Sequence, residues 1–364
     1  MPVAEYFSPD YASARVRFRA AAAQAAVPTI TYVLPDHRGP GGETLSLDAA
    51  RLGATEAQSA LLVVAGTHGV EGLAGSGCLV GLLEDRLHDA LPTSGCLLLL
   101  HAINPHGFAW LRRVTEDGVD LNRNFVDFSK PLPSSEAYER LHDWLVPKAW
   151  EGEIRRAADA ALSAHAQQHG MAALQAAVSS GQYTRPGGMF YGGVRETWSA
   201  RMLLRILREV LPQTVRRLAV LDLHTGLGAP AYGEPILDAA DPKARERALQ
   251  WYGPDVRDLS AGESVSARLT GTMARGIERA RPELELTCIG LEFGTRPMME
   301  VLTALRADHW LHLYGSSDSA AGAQIGRQMR EAFYSDSPAW QAAVYGRTAD
   351  FAFRALRGLS GGAA

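Results

Sequence analysis

The most regular pattern of apolar positions lies in the first third of the chain. Ala60 to Ala65 and Gly95 to His101 are short apolar runs typical of buried strands, and Glu71 to Leu87 between them has helical spacing. A strand, a helix and a strand in this order predict a βαβ unit with parallel strands. Two more apolar runs, Arg217 to Leu223 and Glu285 to Glu292, predict further strands of the same sheet.

The flanking segments have patterns of their own. Thr29 to Leu34 and Thr44 to Leu47 are β-branched or alternating and enclose a Gly-Pro-Gly-Gly turn, which predicts a hairpin or a pair of edge strands. Ser8-Pro9-Asp10 is a helix start signal. Helical spacing follows at Glu300 to Leu313, Ala320 to Phe333 and Pro338 to Leu356, and we expect the tail from Gly358 to Ala364 to fray.

One stretch of the sequence is additional to the elements of a minimal α/β domain. Ser134 to Ser180 has helical spacing and leads into the glycine-rich segment Gly181 to Gly193. We interpret residues 134–193 as a helical insertion with a glycine-rich loop. The fold class predicted is therefore α/β: one domain over residues 1–364, with a central, mostly parallel mixed sheet flanked by helices.

Composition narrows the class of protein. Hydrophobic residues make up 46% of the 364 residues, which suits a globular core, and a net charge of -4 without a basic block argues against nucleic-acid binding. No apolar run predicts a membrane span or a signal peptide. Cys78, Cys96 and Cys288 lie in or beside apolar stretches without a CxxC pair, which predicts reduced core thiols and a cytoplasmic protein. The oligomeric state stays open.

Polar side chains follow the predicted strands. His68 and Glu71 come directly after Ala60 to Ala65, and His224 follows Arg217 to Leu223. Ligands collect beyond the carboxyl ends of the strands in an open α/β sheet. Two histidines and one carboxylate are a common ligand set of catalytic zinc sites, which leave the fourth position to water. We favour a metal site over solvated histidines.

A carboxylate ends the last predicted strand. Glu292 is our candidate for the base that moves protons to the leaving amine, because an unpaired carboxylate at a buried strand end calls for a function or a partner. The alternative is a salt bridge to Arg296.

Four further polar residues lie between the strands. Asp120 suits the role of a carboxylate that orients a ligating histidine. Arg113 and Arg123 could stabilise an oxyanion or bind a substrate carboxylate beside Asn122, and their chemistry alone does not decide between these roles. Surface ion pairing is the alternative for Arg113 and its neighbour Arg112.

These segments together resemble the zinc carboxypeptidases. The resemblance rests on HxxE at His68, a distant His224 after an apolar strand, GVDLNRNF at residues 118–125, and a Glu after a late strand. The aspartoacylase and succinylglutamate desuccinylase group shares much of this signature. Asn104 to Phe108 resembles that group's Asn-Pro-Asp-Gly turn, with His106 in place of the Asp. The match covers roughly residues 61–125 and 220–294.

The resemblance implies a role for each residue at the metal. One zinc ion would be held by His68, Glu71 and His224. Asp120 would support His68, and Glu292 would be the general base and acid.

It also implies how substrate binds. Arg113 falls where the family places its oxyanion arginine, and Asn122 and Arg123 would bind the terminal carboxylate of a peptide or small amide. The family's substrate-closing Tyr has no counterpart at residues 270–280, and Tyr183, Tyr191 and Tyr252 are left open as substitutes. The segment 181–193 is either a lid over the site or a structural turn cluster.

The predicted function is a zinc carboxypeptidase-like hydrolase that cleaves a C-terminal amide bond. The alternative enzyme is an amidohydrolase that deacylates an N-acyl amino acid. The glycines at 66, 69 and 72 permit a nucleotide-binding interpretation, but their spacing is not GxGxxG. Residues 262–266 lack the closing Gly of a serine nucleophile elbow. A metal-binding module without activity is the remaining alternative.

Overall fold

A mixed sheet of eight strands forms the centre of the molecule. The computed structural model describes residues 2–361. The spatial order of the strands is β1-β2-β4-β3-β5-β8-β6-β7. Their bounds are β1 (Thr29–Arg38), β2 (Thr44–Gly53), β3 (Ser59–Ala65), β4 (Gly95–His101), β5 (Arg217–Pro230), β6 (Glu234–Leu237), β7 (Arg257–Asp258) and β8 (Glu285–Gly294).

The four central strands are parallel. β3 pairs with β4 on one side and with β5 on the other, and β5 pairs in parallel with β8. The predicted βαβ unit is therefore confirmed. At one edge β2 runs antiparallel to both β1 and β4, which confirms a hairpin of β1 and β2; at the other, β6 runs antiparallel to β8. The predicted fold class, an α/β protein with a mostly parallel mixed sheet, is confirmed.

Helices cover the sheet and the region beyond its carboxyl ends. Among the described residues these are α1 (Tyr11–Gln24), α2 (Gly72–Glu84), α3 (Pro105–Ala109), α4 (Glu136–Leu145), α5 (Gly152–His169), α6 (Met171–Ser179), α7 (Trp198–Glu209), α8 (Pro242–Tyr252), α9 (Met273–Ala280), α10 (Met298–Tyr314), α11 (Ala320–Phe333) and α12 (Pro338–Ser360).

Capping side chains begin several of these helices where the sequence predicts a start. Asp10 accepts a hydrogen bond from the Ser13 amide at the start of α1, and Ser319 accepts one from Gly322 at the start of α11. The expectation that the tail frays from Gly358 is wrong as far as Ser360, because α12 continues to that residue. The rest of that expectation, beyond residue 361, lies outside the described residues.

The core divides into two apolar clusters. The main cluster surrounds the sheet, where every residue of β3 and β4 is buried. The second cluster lies beyond the sheet and joins helices of the 134–193 segment to α10 and α11. Its members include Tyr138, Leu141, Leu145, Leu174, Val178, Phe190, Val301, Leu305 and Phe333. The helices of residues 134–193 thus pack against late parts of the chain.

The sheet differs from the prediction in the lengths of its strands and in their number. β5 continues to Pro230, so His224 lies inside this strand and not at its end. β6 and β7 have four and two residues, which is too short for an alternating pattern to reveal them.

In the part of the chain that is described, each helix is either too short or too polar to span a lipid bilayer.

Candidate metal centre

Backbone geometry brings His68, Glu71 and His224 together. After β3 the chain turns at Gly66, whose φ of 77° falls in the left-handed region that glycine tolerates. A 3₁₀ turn at Gly69–Glu71 follows and leads into α2. β5 lies beside β3 in parallel register, which sets His224 next to this turn. All three side chains are buried.

The ligand atoms of these residues converge on one point. The Nδ1 atoms of His68 and His224 are 3.2 Å apart. Glu71 reaches both of them, with Oε1 2.9 Å from His68 Nδ1 and Oε2 3.1 Å from His224 Nδ1. Two ligands at zinc bond lengths in a tetrahedral site lie about 3.3 Å apart. The separations therefore fit one small cation shared by all three residues.

Each imidazole is held from behind by a carboxylate. His68 Nε2 is 3.2 Å from Asp120 Oδ1, and His224 Nε2 is 2.8 Å from Asp222 Oδ2. At His224 the Asp222 carboxylate at Nε2 favours the tautomer whose Nδ1 lone pair faces the centre. Thr67 fixes Asp222 in turn by donating a hydrogen bond of 2.6 Å from Oγ1.

Sequence reasoning overlooked Asp222, although a signal was present. Asp222 and His224 are two positions apart on a strand, so their side chains lie on the same face. An Asp-x-His pattern on a buried strand therefore indicates an oriented histidine.

Opposite charges at the centre offset the free-energy cost of burying these groups. Burial alone would raise the pKa of Glu71, but His68 and His224 more than offset it and hold that pKa low. Burial alone would lower the pKa of His224, yet Asp222 and Glu71 raise it well above its usual value. The carboxylates of Glu71 and Asp222 thus favour positive charge at this point.

Arg113 lies against the metal centre. Its Nε donates to Asp120 Oδ2 at 3.0 Å, and its Nη1 is 3.3 Å from Glu71 Oε1. Nη2 lies 2.8 Å from His68 Nε2. Its guanidinium also stacks over Phe190, 5.1 Å from the ring centroid. The side chain is only 13% exposed, so its positive charge lies at the wall of the cavity, where an oxyanion would need one, and does not form the surface ion pair considered above.

Asn122 and Arg123 lie at the same cavity and are held by the backbone. Asn122 Oδ1 accepts a hydrogen bond from the Met273 amide at 2.8 Å, so its amide nitrogen is the polar group left for a ligand. Arg123 donates to the carbonyls of Ser179 and Asn122. Burial lowers the pKa of Arg123 despite the nearby charge of Asp120. A ligand carboxylate would relieve this desolvated charge.

Glu292 lies beside His224, because the two residues are register partners on β8 and β5. Its Oε1 accepts a hydrogen bond from the Leu227 amide at 2.9 Å. Burial, followed by the charge of Glu71, raises the pKa of Glu292 to about 7. Within residues 2–361 Glu292 forms no ion pair with Arg296, so the salt-bridge alternative is not supported.

A cavity enclosing about 1240 Å³, part of it open to solvent, connects these groups. His68, His224, Glu292, Arg113 and Arg123 all line it. Much of the remaining lining is apolar, from Met171, Leu174, Val178, Phe190, Leu227, Ile236, Leu259, Leu269, Met273, Met298, Val301, Leu302, Leu305 and Phe333. Polar groups that converge in an apolar pocket are typical of a small-molecule site.

The proposed substitutes for the closing Tyr do not line this cavity. Tyr183 is buried and donates to the Arg123 carbonyl at 2.7 Å. Tyr252 stacks on Phe351 in the main core, with ring centroids 4.9 Å apart, and Tyr191 is buried as well. The segment 181–193 contributes Phe190 to the cavity wall instead.

Packing explains the glycines that suggested a nucleotide site. A Cβ on Gly69 would clash with the backbone of Gly107, and one on Gly72 would come within 2.5 Å of the Phe108 ring. These positions are glycine because α3 lies against the turn. The nucleotide-binding alternative thus loses its main support.

Three comparisons with known proteins bear on this site. The family described as "Protein of unknown function (DUF2817)" matches residues 7–347. No curated protein sequence matches the chain. Similar solved structures include an aspartoacylase family protein from Mesorhizobium loti, with 18% identity, coverage of 80% of this chain and 68% of that one, and a TM-score of 0.36.

Two other solved structures are similar in the same way. Murein-tripeptide amidase MpaA from Escherichia coli O157 has 16% identity, coverage of 80% of this chain and 93% of that one, and a TM-score of 0.36. Carboxypeptidase A from Helicoverpa armigera has 12% identity, coverage of 90% and 74%, and a TM-score of 0.43.

Proposed function

Because the chain belongs to the DUF2817 family, whose description names no activity, we propose its function from the site itself. The protein is a zinc-dependent hydrolase of the carboxypeptidase type. It cleaves an amide bond next to a free carboxylate, as at the C-terminus of a peptide or small conjugate. The alternative, an amidohydrolase for N-acyl amino acids, breaks the same kind of bond and releases the same kind of product.

One observation carries the proposal. The Nδ1 atoms of His68 and His224 and the carboxylate of Glu71 lie 2.9 to 3.2 Å from one another, at the separations of ligands that share an ion. A zinc ion held there would supply a Lewis acid and would lower the pKa of a water molecule toward neutrality. Two histidines and one glutamate leave a position open for that water.

The proposed proton transfers belong to Glu292. Its Oε1 is held by the Leu227 amide, which leaves Oε2 to accept a proton from the attacking water. The same carboxyl then delivers that proton to the leaving nitrogen. A pKa raised to about 7 suits both transfers at neutral pH.

The arginines and Asn122 are proposed to position the substrate. The guanidinium of Arg113 lies beside Glu71 and His68, where it would stabilise negative charge that develops on the scissile carbonyl oxygen. The Asn122 amide and the remaining N–H groups of Arg123 would bind the carboxylate. The cytoplasmic location expected from the three thiols stays a prediction.

Elemental analysis of the purified protein tests the metal first. We expect close to one zinc ion per chain, removed by a chelator together with activity. A panel of peptides and N-acyl amino acids, each tested with and without the chelator, then separates the two alternatives. Protein that takes up no divalent metal would contradict the proposal, whereas turnover of N-acyl amino acids alone would select the alternative.

A further inference from the structure

The apolar part of the cavity is built by two helices that lie outside the catalytic segments. On α6 four of the five lining residues are Met171, Leu174, Gln175 and Val178, with Ser179 as the fifth at the end of the helix, and on α10 they are Met298, Val301, Leu302 and Leu305. Both sets have the spacing i, i+3, i+4, i+7, which places four side chains on one helical face. Each helix thus presents a stripe to the cavity. We call this surface, together with Phe190 and Phe333, the helix wall.

The helix wall is apolar apart from one residue whose amide is already used. Gln175 Nε2 donates to the Val265 carbonyl at 2.6 Å, which ties α6 to the loop that contributes Ser266, Ala267 and Leu269 to the cavity. Met298 and Leu302 remain partly exposed. Apolar stripes of neighbouring helices normally fill the space between them. Here they border a cavity that also holds the metal ligands.

The position of Arg113 indicates which part of the substrate meets this wall. Its guanidinium, proposed to stabilise the oxygen of the scissile carbonyl, lies over the Phe190 ring, 5.1 Å from the centroid. Phe190 belongs to the second cluster together with Leu174 of α6 and Val301 of α10. The scissile carbonyl belongs to the acyl half of an N-acyl amino acid, so that half lies beside the helix wall when the amide is at the metal.

We propose that the helix wall is an acyl-binding subsite, and that the substrate is an N-acyl amino acid whose acyl group is apolar. This inference rests on the zinc hydrolase of the proposed function and selects its alternative substrate class, the N-acyl amino acids. Such a group is held by exclusion from water, so the affinity for the substrate grows with the length of the acyl chain until the chain covers the helix wall.

The test is a series of N-acetyl, N-hexanoyl and N-decanoyl derivatives of one amino acid, with kcat/KM measured on the zinc-loaded protein. We expect kcat/KM to rise about threefold to fourfold for each of the first added methylene groups, the factor for moving one methylene out of water. Equal values for acetyl and decanoyl substrates would overturn the acyl subsite and leave the zinc hydrolase standing.

A matched pair of neighbouring methionines locates the effect. Met298 lines the cavity, whereas Met299 follows it on α10, is 41% exposed and does not line it. Met298→Asn and Leu302→Asn should each reduce the preference for decanoyl over acetyl at least tenfold, and Met299→Asn should leave it unchanged. An unchanged preference in both cavity variants would overturn the assignment. If Leu302→Asn fails to fold, Met298, the first residue of α10, still decides the question.

Calorimetric binding separates failure of this inference from failure of the proposed function. N-decanoylglycine and N-acetylglycine are titrated into zinc-loaded Glu292→Gln protein. Tighter binding of the decanoyl compound supports the subsite, even if wild-type protein hydrolyses neither compound. The absence of hydrolysis would contradict the proposed activity and not the subsite. Equal binding of both overturns the subsite whatever the turnover.

Discussion

The two walls of the cavity are built in different ways. On the sheet side each chemically active group has a partner that fixes it: His68 has Asp120, His224 has Asp222, and Glu292 has the Leu227 amide. On the helix side, α6 and α10 present apolar stripes whose one polar member, Gln175, is occupied by a backbone carbonyl. The first wall is suited to chemistry and the second to selection of a substrate.

This difference implies different sensitivities to substitution. Removing a group that acts in the transition state lowers the rate by orders of magnitude. Removing one methylene from an apolar pocket changes kcat/KM by a small factor. Substitutions on the sheet side should therefore abolish activity, and those on the helix side should change which substrates are preferred. The following predictions test that contrast.

Removing a ligand should have the largest effect. His224→Ala leaves His68 and Glu71 without the third ligand, so bound zinc should fall from about one per chain to near none, and activity should fall with it below about one part in ten thousand. Elemental analysis and turnover measure both. His169→Ala, an exposed histidine of α5, is the control. Full zinc occupancy in His224→Ala would remove this residue from the ligand set.

Glu292→Gln should separate metal binding from chemistry. The amide cannot accept a proton, so kcat should fall by about a hundredfold to ten-thousandfold. Zinc content should stay near one per chain, because Glu292 is not among the three converging ligands. A variant that keeps its kcat would require a different base.

Asp222→Asn tests whether the carboxylate behind His224 matters. The variant keeps the size of the side chain but loses the charge that orients the ring, so zinc affinity should fall about tenfold to a hundredfold. Competition with a chelator of known affinity measures it. Asp120→Asn should also lower the zinc affinity, because Asp120 lies behind His68. An unchanged affinity in both variants would show that the ligands are fixed by burial alone.

Arg123→Ala should raise KM more than it lowers kcat. Loss of charge-assisted hydrogen bonds to the substrate carboxylate corresponds to a KM increase of about tenfold to a hundredfold. Arg123 also holds the Ser179 carbonyl at the end of α6, so the helix wall should loosen and the melting temperature should fall. Arg268→Ala, an exposed arginine in the neighbouring loop, is the control. An unchanged KM would remove Arg123 from the carboxylate site.

A smaller, pH-dependent effect concerns the support of the helix wall. His309 on α10 donates from Nδ1 to the Gly187 carbonyl at 3.0 Å, and burial lowers the pKa of this histidine to about 4. The unfolded chain takes up a proton near pH 6.5 and the folded chain only near 4. The contribution of His309 to stability is therefore full above pH 6.5 and is lost as the pH falls toward 4.

Urea unfolding of metal-free protein at pH 7 and pH 5 measures this loss. For His309 alone it should amount to about 2 kcal/mol at most. His309→Gln, which does not titrate, should reduce the difference between the two pH values. The buried His101 should add to the remaining difference in the same direction, because burial lowers its pKa to about 4 as well.

Local patterns predicted the strands that carry the site, but not all of its residues. Apolar runs located β3, β4, β5 and β8, because strands buried on both faces are continuously apolar. Asp222 was overlooked because it lies within such a run. Arg123 was expected to be free for substrate, whereas its bonds to Ser179 come from a segment more than fifty residues away.

The sequence alone determined the class of fold and the three side chains that converge at the candidate metal centre. His68 and Glu71 belong to one turn, and His224 follows a strand that parallel pairing must place at the same edge, so short-range geometry suffices. The tertiary structure alone decided the helix wall and the partners of the arginines. A cavity is the space left between helices from distant segments, and its size and lining depend on how those helices pack, which no local period encodes.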